Sequence, residues 1–98
     1  MAEFAFSAEA DEDIQGIYRY TAMHFGVGQA DRYADQLLSS VITAARFPLT
    51  GRGFTTRAGA ALWQYNVGRH AIFYRQTETG ILVVRVLHQM MDFDAHLD

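Results

Sequence analysis

The sequence predicts an α+β domain with the element order β-α-α-β-β-β, a helical hairpin packed on one face of a small, mainly antiparallel sheet. Three observations carry this reading. Two stretches with a helical hydrophobic period end at Phe25 and Arg46 and are separated by glycines. Three short apolar runs follow, at 62–67, 70–75 and 81–88, with turn residues between them. Ahead of the helices, Phe4 and Phe6 alternate with Glu3, Ala5 and Ser7, as in a short strand over 2–7. At 98 residues the chain suffices for one domain, 1–98, with a thin core.

Each element has its own signal. Ser7 stands where a helix N-cap belongs, and Glu9, Asp11, Glu12 and Asp13 crowd the next two turns, where acids complement the partial positive charge of a helix start. Ile14, Ile17, Tyr18, Thr21 and Phe25 follow one face of the first helix, which Gly26 and Gly28 end. The second helix is expected from Gln29 to Arg46, with Ala30, Tyr33, Leu37, Leu38, Val41 and Ala45 as its apolar stripe and Pro48 as its stop. So short a connection makes the two helices antiparallel. Residues 50–60 have the composition of a loop, with Gly51, Gly53 and Gly59 among threonines and arginines. The remaining three runs form an antiparallel meander, with 81–88, apolar on both faces, at its centre. The sheet face away from the hairpin has no second layer in this order, so it is expected to be partly solvated or covered by a partner.

Composition narrows the function classes. The chain has no cysteine, which excludes disulfides, thiolate zinc sites and cysteine nucleophiles. A secreted domain this small would usually need such staples, so a cytoplasmic location is expected. No signal peptide pattern is visible, and the longest apolar run, Ile81 to Val84, falls far short of the ~20 residues that span a bilayer. The formal net charge is −3, unevenly spread: three arginines stand against seven acids over residues 1–49, and five against Glu78 alone over 50–89. All eight cations are arginine, which suits planar contacts with carboxylates and phosphates.

No P-loop, dinucleotide fingerprint, zincin motif or nucleophile elbow is present. His88, Asp92 and His96 are spaced by four, but His88 ends an apolar strand, so they do not form a metal stripe on one helix. Metal-free RNA cleavage needs an acid, a base and cations, which His70, His88, His96, Arg69, Arg75 and Arg85 could supply; the plainer role of strand arginines is to pair with acids. Trp63, Tyr65, Phe73 and Tyr74 alternate along two adjacent strands and divide between core packing and a contact surface.

The segment Val67-Gly-Arg-His-Ala-Ile-Phe-Tyr-Arg75, then Val83-Val-Arg-Val-Leu-His88, Met91-Asp92 and His96-Leu97, strongly resembles the ParE toxins of bacterial toxin–antitoxin pairs. Ala8-Glu-Ala-Asp-Glu-Asp-Ile14, Gln29-Ala-Asp-Arg-Tyr33 and Pro48-Leu-Thr-Gly-Arg52 agree with that family's helices and post-helix loop, so the resemblance covers nearly the whole chain. It implies a RelE/ParE-like fold with the same β-α-α-β-β-β order. It also implies a growth-arresting toxin that traps DNA gyrase on cleaved DNA and is neutralised by a ParD-like antitoxin, through which alone it meets operator DNA. No catalytic residue, cofactor, metal or membrane is implied.

The antitoxin is expected to cover apolar surface beside the hairpin and to meet the arginine-rich part with acids; the expected contacts are Trp63, Tyr65, Arg69, Tyr74, Arg75, Arg85 and His88. The RelE-like branch, whose members cut messenger RNA on the ribosome, is the alternative, with Arg69, Arg85, His88 and His96 as its catalytic set. The chain departs from that branch in having no lysine, and it carries Met90 where arginine is common in both branches, whereas His96 falls about where the nucleases place their general acid. A third possibility is an inactive toxin that serves only as an antitoxin partner or co-repressor.

Overall fold

The computed structural model describes residues 2–97. The elements are β1 (Glu3–Phe6), α1 (Ala8–Phe25), α2 (Val27–Arg46), β2 (Arg52–Thr55), β3 (Ala61–Val67), β4 (His70–Gln76), β5 (Gly80–His88) and α3 (Phe93–Leu97). They form the expected α+β arrangement, a helical hairpin on a five-stranded sheet of order β1-β5-β4-β3-β2. Only β1 is parallel to its neighbour, β5; the other pairs are antiparallel.

Two elements were not expected. The 50–60 segment is not all loop: Arg52 to Thr55 pair with Gln64 to Ala61 as the edge strand β2. Arg-Gly-Phe-Thr has one apolar side chain and so no hydrophobic alternation; backbone pairing with β3 and the packing of Phe54 on the sheet hold it there. The second is α3, which packs Phe93 and Leu97 on the sheet face away from the hairpin, over Leu62, Ala71, Phe73 and Leu87. The chain thus covers part of that face itself. Phe54, Phe73 and Phe93 close it edge to face, with ring centroids 4.8–5.9 Å apart.

Between hairpin and sheet, Ala10, Leu37, Val41, Ala44 and Ala45 meet Val67, Ile72, Tyr74, Ile81, Val83 and Val86. β5 is interior as its composition demanded, but the middle of the sheet belongs to β4, whose Ala71, Ile72, Phe73 and Tyr74 are completely buried. The Tyr74 hydroxyl donates to the Pro48 carbonyl at 2.8 Å and pins the post-helix turn to the sheet.

The Ser7 side chain accepts from the Ala10 N–H at 3.0 Å, the expected N-cap. Gly26 alone makes the hairpin turn. At φ 92° it gives its N–H to the Ala22 carbonyl, closing α1, and its carbonyl accepts from Ala30, opening α2. Gly28 therefore lies inside the first turn of α2 instead of ending α1. Two stripe positions are exposed, not buried: Phe25 at 68% and Leu38 at 44%. No helix among the described residues is long and apolar enough to cross a membrane.

Gly80 opens β5 against Glu3, and a Cβ there would overlap the Glu3 main chain. Gly80→Ala should therefore unseat β1 and cost roughly 2–4 kcal/mol. Gly53→Ala, with nothing within 4 Å of its Cβ, should change stability little. Urea denaturation of both variants checks the contrast.

Candidate functional site: a groove at the end of the sheet

β1 stops at Phe6, while β5 runs on to His88. Beyond Val83 the outer edge of β5 has no strand beside it, and α1 supplies its hydrogen bonds. Ser7 N–H donates to the Val83 carbonyl at 2.9 Å and Ser7 Oγ to the Val84 carbonyl at 2.7 Å. Nearly two turns further on, Asp13 Oδ2 accepts from the Val86 N–H at 2.9 Å. Of the four acids at the helix start, Asp13 is thus fixed by β5 as well as by the helix charge.

Arg85 completes this junction. The register between β4 and β5 slips by one residue, so that Phe73 pairs with Arg85 and Tyr74 with Val83, leaving Val84 as a bulge. The bulge aims the Arg85 side chain toward α1. Its Nε and Nη2 donate to both Asp13 oxygens at 2.8 and 3.0 Å, a two-point pair, and its Nη1 donates to the His96 carbonyl at 2.9 Å. The guanidinium is held further toward the charged form, chiefly by the Asp13 hydrogen bonds. One side chain thereby joins β5, α1 and α3.

Above this junction lies an open groove of about 840 Å³. Ile17, Tyr20 and Phe25 of α1, Tyr33 of α2 and Met91 after β5 give it an apolar lining. Arg69, His70 and His88 stand at the β3–β4 turn and the end of β5, and His96 approaches from α3.

The polar groups are ordered. The Tyr33 hydroxyl lies 2.6 Å from His70 Nδ1 and 3.2 Å from the Val67 carbonyl, and it accepts from the Arg69 N–H at 3.3 Å. Burial, and then the nearby His88, lower the His70 pKa to about 4, so His70 is neutral at physiological pH. Burial raises the Tyr33 phenol, partly offset by the Arg69 N–H. His88 meets His70 edge to face at 5.3 Å, and its Nδ1 accepts from the Met90 N–H at 3.1 Å. The Arg69 guanidinium is exposed and makes no hydrogen bond or ion pair among the described residues.

The expected contact residues are not brought together. Arg69 and His88 share the groove rim. Arg85 lines the groove too, but it is committed to Asp13. Trp63 and Tyr65 pack half-buried against the core on the hairpin side of the sheet. Tyr74 is completely buried and cannot reach a partner without unfolding. Arg75, the strand neighbour of Tyr74, is exposed on the opposite face, paired in register with Leu82. His88 ends β5 and His96 belongs to α3, so the evenly spaced His88, Asp92 and His96 do not form one helical stripe. Of the groove's apolar members, Ile17, Phe25 and Tyr33 were expected only as stripe positions, and Tyr20 escaped the sequence reading. The signal was there: Tyr20 and Met23 are large apolar residues off the core-facing stripe of α1.

Residues 4–93 match the family model described as the ParE toxin of the type II toxin-antitoxin system parDE. The chain is 36% identical over 98 residues to Toxin ParE1 of Mycobacterium tuberculosis (strain H37Rv), covering 98% of each chain. It is 34% identical over 98 residues to Toxin ParE1 of Caulobacter vibrioides, covering 99% of each. Its fold is that of a chain in the solved chromosomal ParDE TA system from P. aeruginosa, with a TM-score of 0.71 over 90% of this chain and 96% of that one, at 14% identity.

Two outcomes follow from the geometry. Arg85→Ala and Asp13→Ala should each cost ~2–3 kcal/mol, and the double variant should cost less than their sum by ~1 kcal/mol or more, because the two share one bridge; urea denaturation of the four proteins reads this. The second concerns pH. Below pH ~6.5 the unfolded chain takes up a proton at His70 that the folded chain refuses until pH ~4. This contribution is therefore whole above pH ~6.5 and lost as pH falls toward ~4, by roughly 1–3 kcal/mol. His70→Gln should flatten the stability profile over that window relative to the parent chain.

Proposed function

Since this chain belongs to the ParE toxin family of type II toxin–antitoxin systems, we propose that it arrests growth by inhibiting DNA gyrase and is neutralised by a ParD-like antitoxin seated in the groove. The observation that carries the antitoxin half is the groove's make-up: an apolar lining around Ile17, Tyr20 and Met91, with Arg69 on its rim, unpaired among the described residues. An amphipathic segment with apolar residues inward and a carboxylate toward Arg69 is the complementary ligand. Tyr20 is 61% exposed, and burying it would supply much of the affinity, while Arg69 sets register and encounter rate. Gyrase as the target rests on the family, and a cytoplasmic location goes with it.

The same geometry supports action by binding over catalysis of RNA cleavage. A nuclease would need Arg85 free to meet a phosphate, and here it is spent on Asp13 and the His96 carbonyl. His70 is neutral, as a base must be, but its Nδ1 is engaged by Tyr33. That leaves Arg69 as the unpaired arginine of the groove lining, too little positive charge to hold a scissile phosphate and stabilise its transition state.

The test is direct. Purified toxin with gyrase and supercoiled plasmid should yield toxin-dependent linear DNA, while translating ribosomes should leave messenger RNA intact; cut message with intact plasmid would reverse the assignment. In parallel, Arg69→Glu and Tyr20→Ala should each weaken antitoxin binding by about tenfold or more. Arg75→Glu, on the opposite face, should leave it unchanged.

A further inference from the structure

Gly16 lies near the middle of α1, at neither a cap nor a turn. Its φ is not among the positive values that Gly26, Gly59 and Gly68 adopt, so its helical backbone suits any residue. A Cβ built on it meets nothing within 4 Å, so no neighbour among the described residues excludes a side chain. A glycine in a helix interior weakens the helix relative to alanine. The fold itself therefore gives Gly16 no role. Its setting does: Gly16 lines the groove, together with Asp13, Ile17 and Tyr20.

Asp13, Gly16, Ile17 and Tyr20 stand at i, i+3, i+4 and i+7, within an arc of about 100° on α1. Four such positions outline the hole that one helix offers to a side chain of another packed across it. Here one corner is bare backbone, so the hole is deep and a second helix axis can come close. The other three corners are set before any ligand arrives. Asp13 holds Arg85 and the Val86 N–H, Ile17 packs on the core, and the Tyr20 ring stacks on His24 at a centroid distance of 4.0 Å. A side chain entering the hole therefore costs these neighbours little rotamer freedom.

The groove's walls select the kind of segment that fits. An extended peptide needs an open strand edge, and the outer edge of β5 is already bonded here to Ser7 and Asp13. A helix satisfies its own backbone and needs only side-chain contact. The α1 wall from Glu12 to Phe25 runs roughly 20 Å, room for about three to four helical turns. We propose that the occupant is an antitoxin helix that crosses α1 at Gly16 and seats one large apolar side chain on its bare backbone, between Ile17 and Tyr20. This rests on the antitoxin reading of the groove and adds to it the conformation of the bound segment and the residue that sets its closest approach.

Gly16→Ala and Gly16→Leu test it, because stability and affinity should move in opposite directions. Both replace a poor helix former by a good one in open space, so the urea midpoint of the free chain should hold or rise. Isothermal titration calorimetry with the full-length ParD-like antitoxin should show binding weakened by about threefold or more for Gly16→Ala and by at least ~30-fold for Gly16→Leu. Tyr20→Ala is measured beside them. If Tyr20→Ala weakens binding while both Gly16 variants bind as the parent chain does, the antitoxin reading of the groove stands and the crossing at Gly16 is overturned. If none of the three weakens binding, the groove reading fails and takes this inference with it. A urea midpoint that falls in both Gly16 variants also overturns the proposal, since it gives Gly16 a role inside the fold.

Discussion

The structure depends on how the exposed edge of β5 is satisfied after β1 runs out. β1 has four residues and β5 nine, so the outer polar groups of β5 beyond Val83 lack a strand. A backbone amide left buried and unpaired costs ~1–3 kcal/mol, and several in a row would fray the strand. The start of α1 solves this: the Ser7 N–H and hydroxyl donate to the Val83 and Val84 carbonyls, and the Asp13 carboxylate accepts from the Val86 amide. That seats the first two turns of α1 against β5 and fixes the direction in which the helix leaves the sheet. α2 must then return along it, because Gly26 closes one helix and opens the next without a linker.

The same solution decides what the groove can do. Asp13 would be a poorly solvated carboxylate facing a sheet edge, and the Val84 bulge brings Arg85 to neutralise it. An arginine that reads in the sequence as part of a basic strand surface is thereby removed from the pool of cations available to a ligand. His70, shielded and beside His88, stays neutral. The groove is left mainly apolar, with Arg69 the one guanidinium of its lining without a side-chain partner among the described residues. Such a site gains most from burying side chains and least from polarising a bond, which is the physical reason to read it as a docking surface.

The sequence made the layers legible because they rest on periodicity. The helical stripes ending at Phe25 and Arg46, the Ser7 cap and the 61–88 meander all appear where hydrophobic spacing and turn residues put them. What stayed hidden rests on pairing instead of pattern. β2 is an edge strand held by backbone bonds and the single side chain Phe54, and α3 is five residues long, with two apolar contacts as its signature. For the site, alternation could not say which of Trp63, Tyr65, Phe73 and Tyr74 faced outward, and the answer is that Phe73 and Tyr74 are both fully buried, on opposite faces. The fate of Arg85 depended on a one-residue bulge, which shifts its direction without leaving a mark in composition. Arg69 and His88 flank a turn and a strand end, where side chains are rarely buried, and both line the groove.

α2 shows how one short helix can serve three surroundings at once. Its core face, Leu37, Val41 and Ala44, lies on the sheet. Gln29, Tyr33 and Gln36 line the groove on one side of that face, and Asp35, Leu38, Ile42 and Arg46 form the outer stripe on the other. At about 100° per residue the core and groove sets adjoin, with Tyr33 shared between them, while the outer set points away from both, so filling the groove leaves Leu38 and Ile42 exposed.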